Sequence, residues 1–249
     1  MVWQLRYAPE HEHASNLGAL IAYAISSEKH IPAYIYDGVT VDEMLPMLKV
    51  TGFPDMERKG MGHNLNMRAA AMRYAKEHHK DYKDCTLIVV HLGGGISVSL
   101  HHDGKVADII NDEDGPFAPE RSGVLPLFQV IEMMSTGKYD HKSAMKRVKT
   151  QGGLVAHLGT NDTRDVEKMI ADGDEHARFI YEAMALNVAR NIAREAPVVN
   201  GRIEGIILTG GIAYSEMFTK MVKDRVEFIA PVTVYAGENE MQSLALGGL

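Results

Sequence analysis

Apolar positions three and four residues apart mark two early stretches of the chain. From Ala14 to Ser26 the residues Ala14, Leu17, Ile21, Ala22 and Ile25 fall at helical spacing, and a second helix is predicted from about Asn66 to His79, rich in Ala, Met and Arg. Between them Pro32 opens a short β-rich run, Ala33-Tyr34-Ile35-Tyr36, which Asp37-Gly38 closes. That pattern predicts a strand followed by a turn, with Asp37 at the strand's carboxyl end. The polar stretch from His78 to Asp84 reads as a surface loop and a boundary, dividing the chain into 1–84 and 85–249.

The densest β signal follows. Thr86 to His91 is apolar, Gly93-Gly94-Gly95 turns, Ile96 to Leu100 alternates, and Asp103-Gly104 separates that run from Lys105 to Ile110. Asp-Gly between alternating runs marks a hairpin, because both central positions of a type I′ turn need positive φ. Three antiparallel strands are expected. The pattern then turns helical over Leu125 to Ser135, Lys142 to Lys149, Thr163 to Asp172 and Glu175 to Glu195. Strand character returns at Ile203 to Leu208, closed by Thr209-Gly210-Gly211, and at Phe228 to Tyr235, with a helix from Ser215 to Val226 between them. Meandering strands, then helices, then strand, helix, strand argue for a mixed sheet with helices on its faces, an α/β fold.

Composition narrows the function classes. The 249 residues carry 26 Lys plus Arg against 33 Asp plus Glu, a formal charge of -7, so no basic footprint for nucleic acid is present. No apolar run is long enough for a membrane helix, and Met1 to Glu10 has neither the basic start nor the apolar core of a secretion signal. A cytoplasmic protein is expected. The one cysteine, Cys85, excludes an internal disulfide and a cysteine-rich zinc site, leaving oxygen or imidazole ligands for any metal. The 15 Met residues read as flexible core filler.

Several segments could carry chemistry. Gly93 to Gly95 sit between two strands, where backbone amides can approach an anion with no Cβ in the way; a plain glycine hairpin is the alternative. Thr209-Gly210-Gly211 follows a strand and precedes a helix, the place where open α/β sheets bind ligands. Neither loop has the third glycine of a dinucleotide fingerprint or the Gly-Lys-Ser/Thr of a P-loop. Arg121, in the stiff run Gly115 to Gly123, could clamp a carboxylate or a phosphoryl group, or simply pair with Glu120. Asp37 could hold a metal or accept a proton, or merely cap a turn. Asn161-Asp162-Thr163-Arg164 looks like a helix N-cap, and the pairs His11 and His13, His78 and His79, and His101 and His102 look solvated.

Taken together these stretches resemble the butyrate kinases of the acetokinase family, within the superfamily of acetate and sugar kinases, heat-shock proteins and actin. The resemblance lies in Glu12 to Ile21 (EHASNLGALI), Val41 to Met44, Ile88 to Val98 (IVVHLGGGISV), Gly115 to Gly123, Gly152 to Asp162 with its GTND, Tyr181 to Ala185, Leu208 to Ile212 with its TGG, and Phe228 to Val232. It implies an actin-like, ribonuclease H-like fold and ATP with Mg2+ as cofactors. It also implies a small carboxylic acid as the other substrate, and an assembly of at least two copies. Residue by residue, it implies a catalytic Asp at Asp37, a phosphoryl-stabilising Arg at Arg121, and active-site histidines at His63 and His91. Gly93, Gly94 and Gly95 would face the nucleotide phosphates, Asp162 and Arg164 the adenosine, and Gly210 and Gly211 the adenine side. Asp37 and Glu240 would hold the metal.

The chain departs from the family pattern in three places. Gly62 stands where an aromatic residue usually precedes the histidine, and the chain stops at Gly247-Gly248-Leu249 where a last helix normally continues. The family's opening Asn-Pro-Gly-Ser-Thr-Ser loop has no counterpart, which implies a complete second domain and a shortened first one. The expected activity is transfer of the ATP γ-phosphate to a short-chain carboxylate, impaired in the absence of that loop. A nucleotide-binding switch or an inactive fragment of the same superfamily is the rival expectation.

Overall fold

The protein is described by a computed structural model covering residues 16–238 and 240–247. Helices α1 (Asn16–Lys29), α2 (Pro46–Lys49) and α3 (Asn64–Glu77) precede a three-strand meander of β1 (Leu87–Leu92), β2 (Ile96–His102) and β3 (Lys105–Ile110). Five helices follow, α4 (Leu127–Ser135), α5 (His141–Lys149), α6 (Gly153–Leu158), α7 (Thr163–Ala171) and the long α8 (Glu175–Glu195). The chain then returns through β4 (Gly205–Gly210), α9 (Glu216–Val226), β5 (Val232–Ala236) and α10 (Glu240–Gly247).

The five strands form one mixed sheet in the order β3-β2-β1-β4-β5. The meander pairs antiparallel, with Val90 opposite Val98, whereas β1 and β4 run parallel, with Val90 opposite Leu208. The β2–β3 turn has the conformation its sequence predicts: Asp103 and Gly104 both lie at positive φ, +52° and +73°, between the paired residues His102 and Lys105.

Strand alternation assigns each side chain of β1 to one of two cores. Ile88, Val90 and Leu92 point toward α8 and α9, where Ile180, Tyr181, Met184, Val188 and Ile192 present a helical stripe. Leu87 and Val89 point the other way, onto Met67, Ala71 and Tyr74 of α3. Burying each such aliphatic side chain contributes about 1.5–3 kcal/mol, so the sheet is held from both faces. No helix among the described residues is long and apolar enough to cross a membrane.

Three expectations need correcting. Residues 33–36 form no strand; residues 31–35 are exposed and meet no neighbouring strand among the described residues, and an extended run without a ladder has nothing to fix it. Asp37 therefore sits not at a strand end but in a bend, at φ +44°. His101 is fully buried rather than solvated, because it is an inward position of β2 where Tyr82 Oη lies 2.7 Å from Nδ1 and Ser99 Oγ 2.8 Å from Nε2. Burial, with the Arg68 charge nearby, pushes its imidazole down to about 3. Phe228 to Ile229 is a turn, so the last strand starts only at Val232, and His11, His13 and Ala14 lie outside the described residues.

Two arginines tie the first segment to the meander. Arg58 reaches Asp108 (3.0 Å), Asp114 (2.8 Å) and the Ile109 carbonyl (3.1 Å), covering the edge of β3. Arg68 on α3 pairs with Asp37 (2.8 Å) and Glu43 (2.7 Å). Behind the first network, Glu195 ends α8 with no exposure, and neither of its oxygens has a hydrogen-bond partner. Burial, with Asp108 beside it, pushes that carboxyl well above the usual carboxylate range.

Candidate active site

The carboxyl ends of β1, β4 and β5 open onto a cleft of about 690 Å³. Its walls include Gly93, Gly94, Asn161, Asp162, Arg164, Gly211 and Glu238. Six residues that the sequence placed in three separate segments thus meet in one cavity. It lies where parallel strands end, as expected for an α/β ligand site.

The glycine turn is shaped by what surrounds it. The Gly93 amide donates to the Gly95 carbonyl (3.1 Å), and Glu120 N–H donates to the Gly94 carbonyl (3.2 Å). A Cβ on Gly94 or Gly95 would stand in nearly open space, 3.8 Å from Glu120 and 3.9 Å from Arg121 and His63 respectively. Space of this kind beside backbone N–H groups suits an anion's oxygens. Gly210 is required for a different reason. It lies at φ +90°, and a Cβ there would fall 2.5 Å from the Leu92 carbonyl oxygen.

Two histidines stack beside the turn, their ring centroids 3.8 Å apart. His63, just before α3, has Nδ1 at 3.0 Å from Ser97 Oγ; His91, on β1, has Nδ1 at 3.1 Å from Asn66 Oδ1 and Nε2 at 3.2 Å from Glu238. Burial, and the His91 ring beside it, push the His63 imidazole down to about 4, so it is neutral at pH 7. The hydrogen bond from His91 holds the Glu238 carboxyl below the usual range against the opposing effect of burial.

Arg121 stands across the glycine turn. Its Nε lies 3.2 Å from Asp112, and its NH1 3.4 Å from Glu120 and against the Lys149 carbonyl. The bland alternative of a pair with Glu120 is therefore realised, but the guanidinium is also pinned within van der Waals reach of the space beside Gly95. At the far wall Asp162 caps α7 by accepting from the Arg164 amide (2.9 Å) and grips the Arg164 guanidinium through Nε (2.9 Å) and NH2 (2.5 Å). That fork pulls the Asp162 carboxyl down to about 2.

Asp37 does not join this group. Its carboxylate is sealed against Arg68, whose NH1 also reaches the Gly104 carbonyl (3.4 Å) at the opposite end of β2. His63 meets β2 at Ser97 and the Arg68 network meets it at His101, four residues or roughly 13 Å further along. One Asp37 oxygen is buried without a partner, and desolvation raises its carboxyl above the usual value. Glu240 is likewise outside the cleft, exposed at the start of α10.

The resemblance read from the sequence implies magnesium, and the donor set bears on where it would fit. No three His, Cys, Asp or Glu side chains among the described residues are placed to cage a metal. Magnesium needs no cage: one or two carboxylates with nucleotide phosphates and water suffice. Glu238 is a carboxylate that lines the cleft, whereas Asp37 and Glu240 are not among its lining residues. Sequence reasoning missed Glu238, although it follows the carboxyl end of a strand as the other site residues do. It also missed Asn66, which lies inside a helix where no local signal marks it.

Comparison with known proteins agrees with this architecture. Acetate kinase from Porphyromonas gingivalis superposes with a TM-score of 0.83 at 17% identity, covering 99% of this chain and 71% of that one. A propionate kinase from Francisella tularensis gives 0.82 at 20% identity over 98% and 71%, and acetate kinase from Entamoeba histolytica 0.81 at 16% over 99% and 71%. At these identities the likeness establishes the fold, that of the actin-like ATPases. The profile of the acetokinase family matches residues 58–241, three-quarters of the sequence and every cleft residue described above, and the chain belongs to that family.

Proposed function

We propose that the protein transfers the γ-phosphate of ATP to a short-chain carboxylate, butyrate in preference to shorter acids, giving an acyl phosphate and ADP. Membership of the acetokinase family supports an ATP-dependent carboxylate kinase. The preference for butyrate rests on the sequence stretches that resemble butyrate kinases. The observation that carries the reading is the meeting of the glycine turn, His63 and Arg121 around one space.

In this reading a carboxylate oxygen attacks the γ-phosphorus in line, a new P–O bond forms, and the bond to the bridging oxygen breaks with its electrons leaving on ADP. Such transfers need positioning and charge stabilisation more than covalent help. The Gly94 and Gly95 backbone would hold phosphate oxygens, and Arg121 would stabilise the charge spread over the moving phosphoryl group. His63, neutral in its buried stack, donates a hydrogen bond without repelling Arg121. His91 is oriented by Asn66 and aligns Glu238. Glu238 would hold magnesium, which when bound would supply charge neutralisation to the phosphates. Asp162, Arg164 and Gly211 would take the nucleoside. Asp37, expected as a catalytic group, would instead fix α3 and hence His63 through Arg68.

A hydroxylamine trap for acyl phosphate, run with ATP, magnesium and butyrate, isobutyrate or acetate, tests the reading. Formation of butyryl hydroxamate in preference to acetyl hydroxamate is expected. Phosphorylation of glycerol or sugars with no acid touched would overturn it.

A further inference from the structure

We propose that a second cavity, separate from the nucleotide cleft, binds a small organic monoanion with a hydrocarbon body, of which a medium-chain carboxylate is the representative. The cavity has a volume of about 520 Å³ and lies between α3, the ends of β4 and β5, and α10. That size is within the usual range for small-molecule sites, roughly 300–1,000 Å³.

Helical spacing builds its main wall. Asn66, the adjacent pair Ala69 and Ala70, Arg73 and Lys76 recur at helical spacing, so one face of α3 lines the space from end to end. Alanine at two of these positions leaves an apolar floor with room above it. The rings of Tyr235 and Tyr36 supply the sides. At the end nearest the carboxyl terminus of α3 the lining turns cationic, and no Asp or Glu belongs to it.

One of the two cations is fixed in advance. The Arg73 guanidinium lies 4.0 Å from the centre of the Tyr235 ring, and its Nε donates to Glu77 (2.8 Å), which also accepts from the Tyr235 hydroxyl. Glu77 engages only one edge of the guanidinium, so the NH1 and NH2 donors stay available. Lys76 forms no ion pair with a described residue. A positive rim over an apolar floor selects for charge and hydrocarbon together: a free inorganic anion gains nothing from Ala69 and Ala70, and a neutral hydrocarbon leaves Lys76 unmatched. The inference does not depend on the kinase reading, because none of these residues lines the nucleotide cleft.

The cavity is nevertheless linked to the cleft. Asn66 lines it and also holds His91, whose other nitrogen faces Glu238. An occupant that engages the Asn66 amide would act on the histidine stack.

The test is equilibrium dialysis of the full chain with radiolabelled hexanoate in the absence of nucleotide. Hexylammonium and inorganic sulfate serve as the wrong-charge and no-hydrocarbon probes. Saturable one-to-one binding of hexanoate alone is expected, weakened at least tenfold by Lys76→Glu and by the cavity-filling Ala70→Leu, and kept in Arg121→Ala. A fluorescent ATP analogue should bind Lys76→Glu as it binds the unaltered protein, which shows that the variant folds. Absence of saturable binding, equal binding of hexylammonium, or an affinity unchanged in both cavity variants would overturn the proposal. So would competitive displacement of hexanoate by ATP. Acyl phosphate formation is a separate measurement, so either reading can fail without the other.

Discussion

The two ends of the sheet handle charge in opposite ways. At the β2–β3 turn, Arg68 is nearly buried and satisfied on all sides by Asp37, Glu43, the Tyr82 hydroxyl and the Gly104 carbonyl. At the glycine turn, Arg121 and Arg164 are held by carboxylates but remain open to the cleft, and Gly94 and Gly95 leave space beside them. Buried pairs with both partners present cost little, but losing one partner leaves an unmatched charge in a poor solvent. The first end is thus closed by its own partners, while at the second the proposed function would have a substrate oxygen replace a carboxylate already at hand. Sequence alone treats Asp37 and Arg121 alike, as polar residues in turns; only their surroundings separate them.

Breaking the closed end should cost most. Arg68→Met strands Asp37 and Glu43 and is expected to lower unfolding stability by about 3–5 kcal/mol in urea titration. Stability changed by less than about 1 kcal/mol would show the two ends to be equivalent. Arg121→Ala should leave the urea midpoint near its original value and reduce kcat/KM for acyl phosphate formation by about 3 kcal/mol or more, with nucleotide affinity little changed. If nucleotide affinity falls in step, Arg121 is a ligand of the nucleotide and not of the moving phosphoryl group. Gly94→Val sharpens the comparison further. The backbone there has ordinary φ and the new side chain meets open space, so folding should persist while nucleotide binding weakens about tenfold, or about 1.4 kcal/mol.

A further contrast between the two ends is their pH dependence. His63 titrates near 4 when folded against an ordinary value near 6.5, so acidification protonates the unfolded chain first and stability falls as pH drops from about 6.5 to 4. His63→Gln should flatten part of that slope in thermal melts, while His101, buried at the other end, keeps the remainder. An unchanged slope would mean that His63 is solvated.

Most of the fold was legible because its signals are local. The Asp103-Gly104 turn, the alternation of β2 and the apolar stripe of α8 each follow from neighbours in sequence, and the structure reproduces them within a few residues. The strand expected at 33–36 failed because a strand is defined by its partner, which no local pattern supplies. The lining of the cleft was legible where a glycine turn follows a strand, as with Gly93, Gly94 and Gly211, though not at Glu238, which follows a strand without such a turn. It was not legible where a role depends on a distant group. Asp37 is turned away by Arg68, 31 residues on, and Glu238 is recruited by His91 from the opposite end of the second half.

Glu195 makes folding a proton-consuming reaction. Its carboxyl, buried beside Asp108 with neither oxygen bonded, keeps a proton that the unfolded chain releases above about pH 4.5. Folded stability therefore declines as pH rises from there toward the raised value, opposite in sign to the histidine effect. The two trends overlap in mildly acidic solution, where the histidines reward alkalinity and this glutamic acid rewards acid. A Glu195→Gln chain, relieved of its proton uptake, should respond more steeply to acid than the parent, and calorimetric refolding in buffers of different ionisation enthalpy should register the missing proton directly.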